Sequence, residues 1–181
     1  MVKPTLHGEM LVLRPFGPQD AEPMWELLSD PEARRLAGMS REFTPADVAR
    51  RAAGELAEED TIELAVTTTS SDEYLGEIVL GSIDHFLGTA LLRLAMRPAY
   101  RGRGYGTEAL QLVLGMAFGG LGLHRVGLVV PAVNTRATSL YENIGFHVEG
   151  RLREAFRDGE GRTDGIVMGV LEDEYRAAQH L

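Results

Sequence analysis

The chain contains no cysteine, which excludes a disulfide framework, a zinc ribbon and a thiol nucleophile. It also lacks any apolar run approaching the ~18 residues needed to cross a bilayer. Its start, Met1-Val2-Lys3-Pro4-Thr5, has no signal-like apolar core. Basic residues are in deficit: 18 Lys and Arg against 27 Asp and Glu give a net charge of −9. Nucleic-acid affinity needs a basic footprint, so neither a nucleic acid nor a membrane is an expected partner. The five histidines, His7, His85, His124, His147 and His180, show no i, i+4 pair and no His-Glu-x-x-His spacing, so no metal is expected. What is present is a 44% apolar fraction in 181 residues, enough for a real core and too much for a disordered chain. The expectation is one cytoplasmic domain over residues 1–181.

Local patterns divide the chain into alternating elements. Glu9 to Pro15 reads as a strand, and Asp20 as the N-cap of a helix through Trp25, Leu27 and Leu28 to about Ser29. Pro31 and Gly38 punctuate the next stretch. Thr44-Pro45-Ala46-Asp47 starts a second helix, with a capping hydroxyl, a proline at the first helical position and an acid in the first turn. That helix is expected to reach Glu58 or Glu59. Runs at Ile62–Val66, Leu75–Ile83 and Leu91–Met96 then predict an antiparallel meander. A glycine-rich loop leads into Thr107–Phe118, apolar on nearly every side and therefore a buried helix. Val126–Val130 is a further strand. Ala137, Leu140, Tyr141 and Ile144 stand at i, i+3, i+4 and i+7, an amphipathic helix capped by Asn134 and closed by Gly145. Strands at about Phe146–Phe156 and Gly165–Leu171 flank a turn at Asp158–Gly161. The fold class is α+β.

The loop Arg101-Gly102-Arg103-Gly104-Tyr105-Gly106 places three glycines in a strand-to-helix turn. Backbone N–H groups can converge there without interference from Cβ atoms, and the helix N-terminus adds unpaired donors. Such a loop suits a phosphate or pyrophosphate, with Arg101 and Arg103 adding charge; the plainer reading is a turn with two solvated arginines. A P-loop needs Gly-Lys-Ser/Thr, and Gly104-Tyr105-Gly106-Thr107 has no lysine. A dinucleotide fingerprint needs G-x-G-x-x-G early in a doubly wound unit, and this spacing and position differ.

Leu94 to Gly106 resembles the acetyl-CoA motif of the GCN5-related N-acetyltransferase (GNAT) superfamily, an Arg/Gln-x-x-Gly-x-Gly/Ala signature after a strand. Asn134-Thr135-Arg136-Ala137-Thr138-Ser139-Leu140-Tyr141-Glu142-Asn143-Ile144-Gly145-Phe146 resembles the family's Asn-x-x-Ala-x-x-x-Tyr-Glu-x-x-Gly-Phe segment. The two blocks lie in the expected order, and the resemblance covers nearly the whole chain. Leu11–Pro15 and Gly150–Glu154 further resemble the subgroup that acetylates ribosomal-protein N-termini. The resemblance implies a mixed, twisted sheet of about seven strands, splayed in the middle and flanked by about four helices. It implies acetyl transfer from acetyl-CoA to a primary amine by direct attack, most simply a protein N-terminal α-amine. A small-molecule amine such as an antibiotic or polyamine is the alternative acceptor. A non-catalytic acyl-CoA-binding module is the alternative function. A homodimer burying a late strand is compatible with this layout.

By the same resemblance, the backbone of Leu94, Ala95 and Met96 would bind the pantetheine arm, with an N–H near Met96 facing the thioester carbonyl. The N–H groups from Arg101 through Gly102, Arg103, Gly104, Tyr105 and Gly106 to Thr107 would cradle the pyrophosphate. Asn134 would touch the cofactor arm or serve only as a cap. Tyr141 would protonate the departing thiolate or simply pack in the core, and Ser139 is a weaker candidate for that acid. Many family members carry a glutamate on the strand before the loop, whereas Ala90–Met96 has none. Glu77, Asp84 and His85 are the nearby candidates for a base; their plainer reading is solvated strand-end charge. A base acting through water, or none at all, is the remaining option. An α-amine of pKa ~7.7–8.0 is about 10–17% neutral at pH 7, against about 0.04% for a lysine of pKa ~10.4. The missing carboxylate therefore favours a low-pKa acceptor. Trp25 either packs under the first helix or reads the acceptor. The acidic run Glu55, Glu58, Glu59, Asp60, Glu63 reads as a solvated face, or as a rim that steers a cation.

Overall fold

The computed structural model describes residues 3–179; Met1 and Val2 at the start, and His180 among the histidines, lie outside the described residues. Strands β1 (Leu6–His7) and β2 (Leu11–Arg14) lead into helices α1 (Ala21–Ser29), α2 (Pro31–Ala37) and α3 (Pro45–Ala52). The meander β3 (Ile62–Thr68), β4 (Tyr74–Asp84), β5 (Thr89–Met96) follows. Helix α4 (Tyr105–Gly115) runs on into a π turn at Met116–Gly120. Then come β6 (Arg125–Pro131), α5 (Thr135–Ile144), β7 (His147–Asp158), β8 (Gly161–Leu171) and α6 (Glu172–Ala178). The described strands form one sheet in the order β1-β2-β3-β4-β5-β6-β8-β7. The α+β class with a mixed, splayed sheet is borne out, with eight strands and six α-helices among the described residues in place of about seven and about four.

Side-chain alternation along the strands builds two cores. Leu64, Val66, Ile78, Leu80 and Leu92 pack with Leu110, Val113 and Leu114 of α4 on one face. Ala65 and Ala95 face the other way, against Met24, Leu27 and Leu28 of α1, Ala33 of α2 and Val48 of α3. A strand buried on both faces has this period-2 division of labour. One strand pair departs from the antiparallel pattern of the rest, and it decides the shape of the molecule. β5 pairs β6 in parallel only from Thr89–Leu91 to Arg125–Gly127. Beyond that point the strands diverge, so the sheet forks.

The ends of the helices show which local signals govern. Thr44 Oγ1 accepts from Asp47 N at 3.1 Å while the Asp47 carboxylate accepts from Thr44 N at 2.9 Å, the reciprocal box that starts α3. α3 stops at Ala52 rather than near Glu58, because Gly54 takes a left-handed φ of 78° and Glu55 N bonds back to Arg50 O at 3.0 Å. α2 carries a full set of signals: Asp30 accepts from Ala33 N at 2.7 Å, Pro31 opens the helix, and Gly38 closes it at φ 66°. α6 follows the last strand directly, with the Tyr175 ring 5.3 Å from that of Phe118.

Candidate active site

A cavity of about 610 Å³ opens in the fork between β5 and β6. One wall is the β5 segment Leu92–Met96, whose outer edge has no ladder to β6; the opposite wall is Leu128–Pro131 of β6. α2 closes one side through Ala33, Leu36 and Ala37. Leu94, Ala95 and Met96 all line the cavity. An unpaired strand edge is a template for an extended amide-bearing ligand, which can add to the sheet like another strand.

The glycine loop forms the cavity's outer end. Gly102 and Gly104 hold φ values of 76° and 82°, a conformation that L-residues reach only with strain. A Cβ on Gly102 would stand 2.3 Å from Arg136 Nη2, and one on Gly106 would stand 3.2 Å from Leu140 Cδ2. These glycines thus let the loop lie close against α5 and aim the start of α4 into the opening. Arg101, Gly102, Gly104, Gly106 and Thr107 line the cavity. Arg103 and Tyr105 do not: the Arg103 guanidinium lies 5.9 Å from the Tyr100 ring, and Tyr105 packs on the first core. Sequence spacing marks the whole run, whereas the cavity lining includes five of its seven residues. Three arginines, Arg93, Arg101 and Arg136, line the cavity, with no aspartate or glutamate among its lining residues. Burial lowers the Arg101 pKa from its usual value, and Arg136 pushes in the same direction. In a chain of net charge −9, this is a locally cationic pocket suited to a polyphosphate anion.

α5 supplies the inner wall. Asn134 Oδ1 accepts from Ala137 N at 3.1 Å, and its Nδ2 donates to Leu36 O at 3.0 Å. Its side chain therefore caps α5 and ties it to the end of α2 while also lining the cavity. Tyr141 is 6% exposed and packs edge-on to Phe146 at 5.6 Å. It lines the cavity, and its hydroxyl has no hydrogen-bond partner among the described residues. Burial pushes its pKa up to about 12, so the phenol stays protonated at neutral pH. Ser139 is exposed and lies outside the cavity lining.

The candidate bases are not brought to this cavity. Asp84 is at the far end of β4, opposite Thr89, where it accepts from Phe86 N at 2.9 Å and Leu87 N at 2.8 Å. It shapes a hairpin tip, and His85 is exposed on the same tip. Glu77 is 0% exposed and faces α3. Its carboxylate accepts from Arg51 at 2.7 Å and from Arg93 at 3.3 Å, so it is held in a buried ion pair away from the cavity. Arg51 also donates to Glu63 at 2.8 Å. Burial would lower the Arg51 pKa, but Glu77 and Glu63 outweigh it and hold the pKa above the usual value. Glu63 thus leaves the acidic run that Glu55, Glu58, Glu59 and Asp60 keep exposed. Trp25 lines neither cavity and packs on the α1–α3 core.

A second cavity, of about 420 Å³, lies under α3 and the chain between α2 and α3. It shares Gly38, Leu91, Leu92 and Arg93 with the first, so the two meet at the root of the fork. Residue patterns alone do not mark α2, Arg93 or Arg136 as parts of a site. The cap, proline and glycine around α2 are usable signals, whereas the positions of the arginines depend on where the strands fork. Among the described residues, no group of His, Asp or Glu could hold a metal ion, and no helix is long and apolar enough to cross a membrane.

The family model described as "Acetyltransferase (GNAT) domain" matches residues 10–147. The uncharacterized N-acetyltransferase p20 of Bacillus licheniformis is 28% identical over 94% of this chain and 98% of its own. The spermidine N(1)-acetyltransferase of Escherichia coli K12 is 31% identical over 65% of this chain and 63% of its own. Among solved structures, spermidine N-acetyltransferase from Vibrio cholerae in complex with CoA and spermine superposes with a TM-score of 0.85 at 21% identity, covering 93% of this chain and 99% of that one.

Proposed function

The chain belongs to the GNAT acetyltransferases, and on that premise we propose that it transfers the acetyl group of acetyl-CoA to an α-amine, by direct attack with both substrates bound. The observation that carries this reading is the fork: a free strand edge, an arginine-lined opening and a protonated tyrosine share one cavity. Acetyl-CoA supplies an acetyl group already activated as a thioester. Leu94–Met96 hold the pantetheine arm along the β5 edge, with an N–H near Met96 facing the carbonyl where negative charge develops. The amides of Arg101 to Thr107, with Arg101 and Arg136, hold the pyrophosphate. Tyr141 gives a proton to the departing thiolate.

The acceptor class follows from proton accounting. Glu77 is locked by Arg51 and Asp84 lies at the hairpin tip, so an amine that arrives substantially neutral is served best. An α-amine of pKa ~7.7–8.0 meets that condition and a lysine of pKa ~10.4 does not. A protein N-terminus is the reading we favour. A polyamine is the second reading, favoured by the 31% identity to a spermidine acetyltransferase. Thiol release from acetyl-CoA distinguishes them, using a lysine-free peptide with a free N-terminus, an Nα-blocked lysine peptide and spermidine. Turnover is expected with the free α-amine, rising from pH 6.5 to 8.5 as that amine deprotonates. Turnover of spermidine or the blocked peptide alone would contradict it.

A further inference from the structure

The two cavities meet at Arg93, on the strand that lines both. Its side chain is 44% exposed, and its one carboxylate contact is with Glu77 at 3.3 Å. Glu77 is more closely held by Arg51, at 2.7 Å. A guanidinium carries five N–H donors, so most of those on Arg93 remain available to the cavity. Arg41 lines the second cavity as well. It lies 4.9 Å over the Phe43 ring, with no salt-bridge partner among the described residues. The acids of that cavity are differently placed. Glu63 is bound by Arg51 at 2.8 Å and lies 3.6 Å from Lys3. Glu58 is exposed, with the Thr61 hydroxyl 3.5 Å away. Glu58 therefore keeps a carboxylate without a cationic partner among the described residues in the second cavity, whereas at the root of the fork, where the two cavities meet, Arg93 is the shared charged residue and no carboxylate lines the first cavity.

We propose that Arg93, assisted by Arg41, selects an acceptor whose α-amine is flanked by a carboxylate, a proposal that rests on the acetyl-transfer reading above. A guanidinium binds a carboxylate through paired, charge-assisted hydrogen bonds, which fix direction as well as position. The acceptor's own carboxylate raises the pKa of its amine, and pairing that carboxylate with the guanidinium offsets the rise, which matters where no carboxylate base lines the first cavity. The guanidinium also repels a polycation, a discrimination built by repulsion as much as by attraction. Free acidic or neutral amino acids and peptides with an acidic first residue share this chemistry.

The test measures kcat/KM by thiol release for an aspartyl tripeptide amide, its asparaginyl counterpart, free aspartate and spermidine, with wild type, Arg93→Gln, Arg93→Lys and Arg41→Gln. Wild type is expected to prefer the aspartyl over the asparaginyl peptide at least tenfold, through KM. Arg93→Gln brings the ratio near one, and Arg93→Lys and Arg41→Gln keep part of it; melting curves confirm that each variant folds. Free aspartate acetylated faster than the peptide would identify an amino acid as the source of the carboxylate; the reverse order would identify a peptide. An aspartyl-to-asparaginyl ratio near one in wild type, a preference for spermidine, or equal loss on both peptides in Arg93→Gln would overturn the proposal, while turnover itself leaves the acetyl-transfer reading standing. No turnover of any of these amines, with acetyl-CoA still bound, would overturn both.

Discussion

Two side chains show how burial assigns opposite roles to polar groups. Tyr141 is nearly enclosed, yet it lines the cavity, and burial pushes its pKa up to about 12. Tyr141→Phe is predicted to lower kcat about 10²-fold or more, the usual scale for a lost general acid, with the acetyl-CoA dissociation constant little altered; steady-state kinetics and calorimetry check the two parts. Because the folded pKa lies above the ordinary tyrosine value near 10, the neutral phenol contributes stability that is complete below pH 10 and is lost as pH rises through about 12. The fall in melting temperature across that window is predicted to be shallower in Tyr141→Phe. Arg51, by contrast, is 5% exposed and holds the 0% exposed Glu77. Arg51→Met is predicted to cost about 3 kcal/mol in urea unfolding, because it strands a buried carboxylate whose remaining partner is the more exposed Arg93. A loss below about 1 kcal/mol would mean that Arg93 alone compensates Glu77.

At the scale of elements, α5 joins the two sides of the site. Its capping Asn134 also bonds the last carbonyls of α2 through Leu36 O. Asn134→Asp keeps the acceptor for Ala137 N and loses the donor to Leu36, whereas Asn134→Ala loses both. The alanine variant is predicted to cost about 1 kcal/mol for the cap, and the aspartate variant less in stability. Both are predicted to weaken acetyl-CoA binding by loosening α2 over the cavity, measurable by calorimetry. Equal stability of the two variants would show that capping is not the stabilising role. The motif elements are legible in the sequence because their signals are local: the Thr44 box, the Gly102–Gly106 loop, and Asn134 with Gly145 around the spacing of Ala137, Leu140, Tyr141 and Ile144. α3 reads too long in the sequence because acidic helix formers follow Gly54, whose left-handed φ of 78° outweighs them. α2 is hidden when Pro31 reads as punctuation alone, although Asp30, Pro31 and Gly38 mark a helix as well as they mark a break. α6 follows β8 with Leu171 as its N-cap residue and no side-chain cap hydrogen bond; its place depends on Tyr175 reaching Phe118 and Gln111 O, contacts between distant parts of the chain. The fates of Glu77 and Asp84 are equally out of reach, since strand position alone does not say which face meets Arg51.

For the molecule as a whole, one interruption in the sheet organises everything else. Three residue pairs tie β5 to β6, the strands then part, and helices from both faces come to the gap. The cationic lining of that gap within an acidic chain is the feature on which the proposed placement of acetyl-CoA rests. Thermal melting with and without saturating acetyl-CoA, with ATP and NAD as controls, tests this most directly. A ligand at ~100 times its dissociation constant that binds only the folded state adds about 2.7 kcal/mol, enough for a visible rise. Gly104→Trp serves as the companion: a Cβ there would meet only Met10 Cε, at 3.8 Å, but the φ of 82° strains any L-residue, so a melting curve of the unliganded variant first establishes that it folds. A rise with acetyl-CoA alone is predicted in the wild type, and none in folded Gly104→Trp. No rise in the wild type, or an equal rise in the variant, would contradict the placement of acetyl-CoA in the fork.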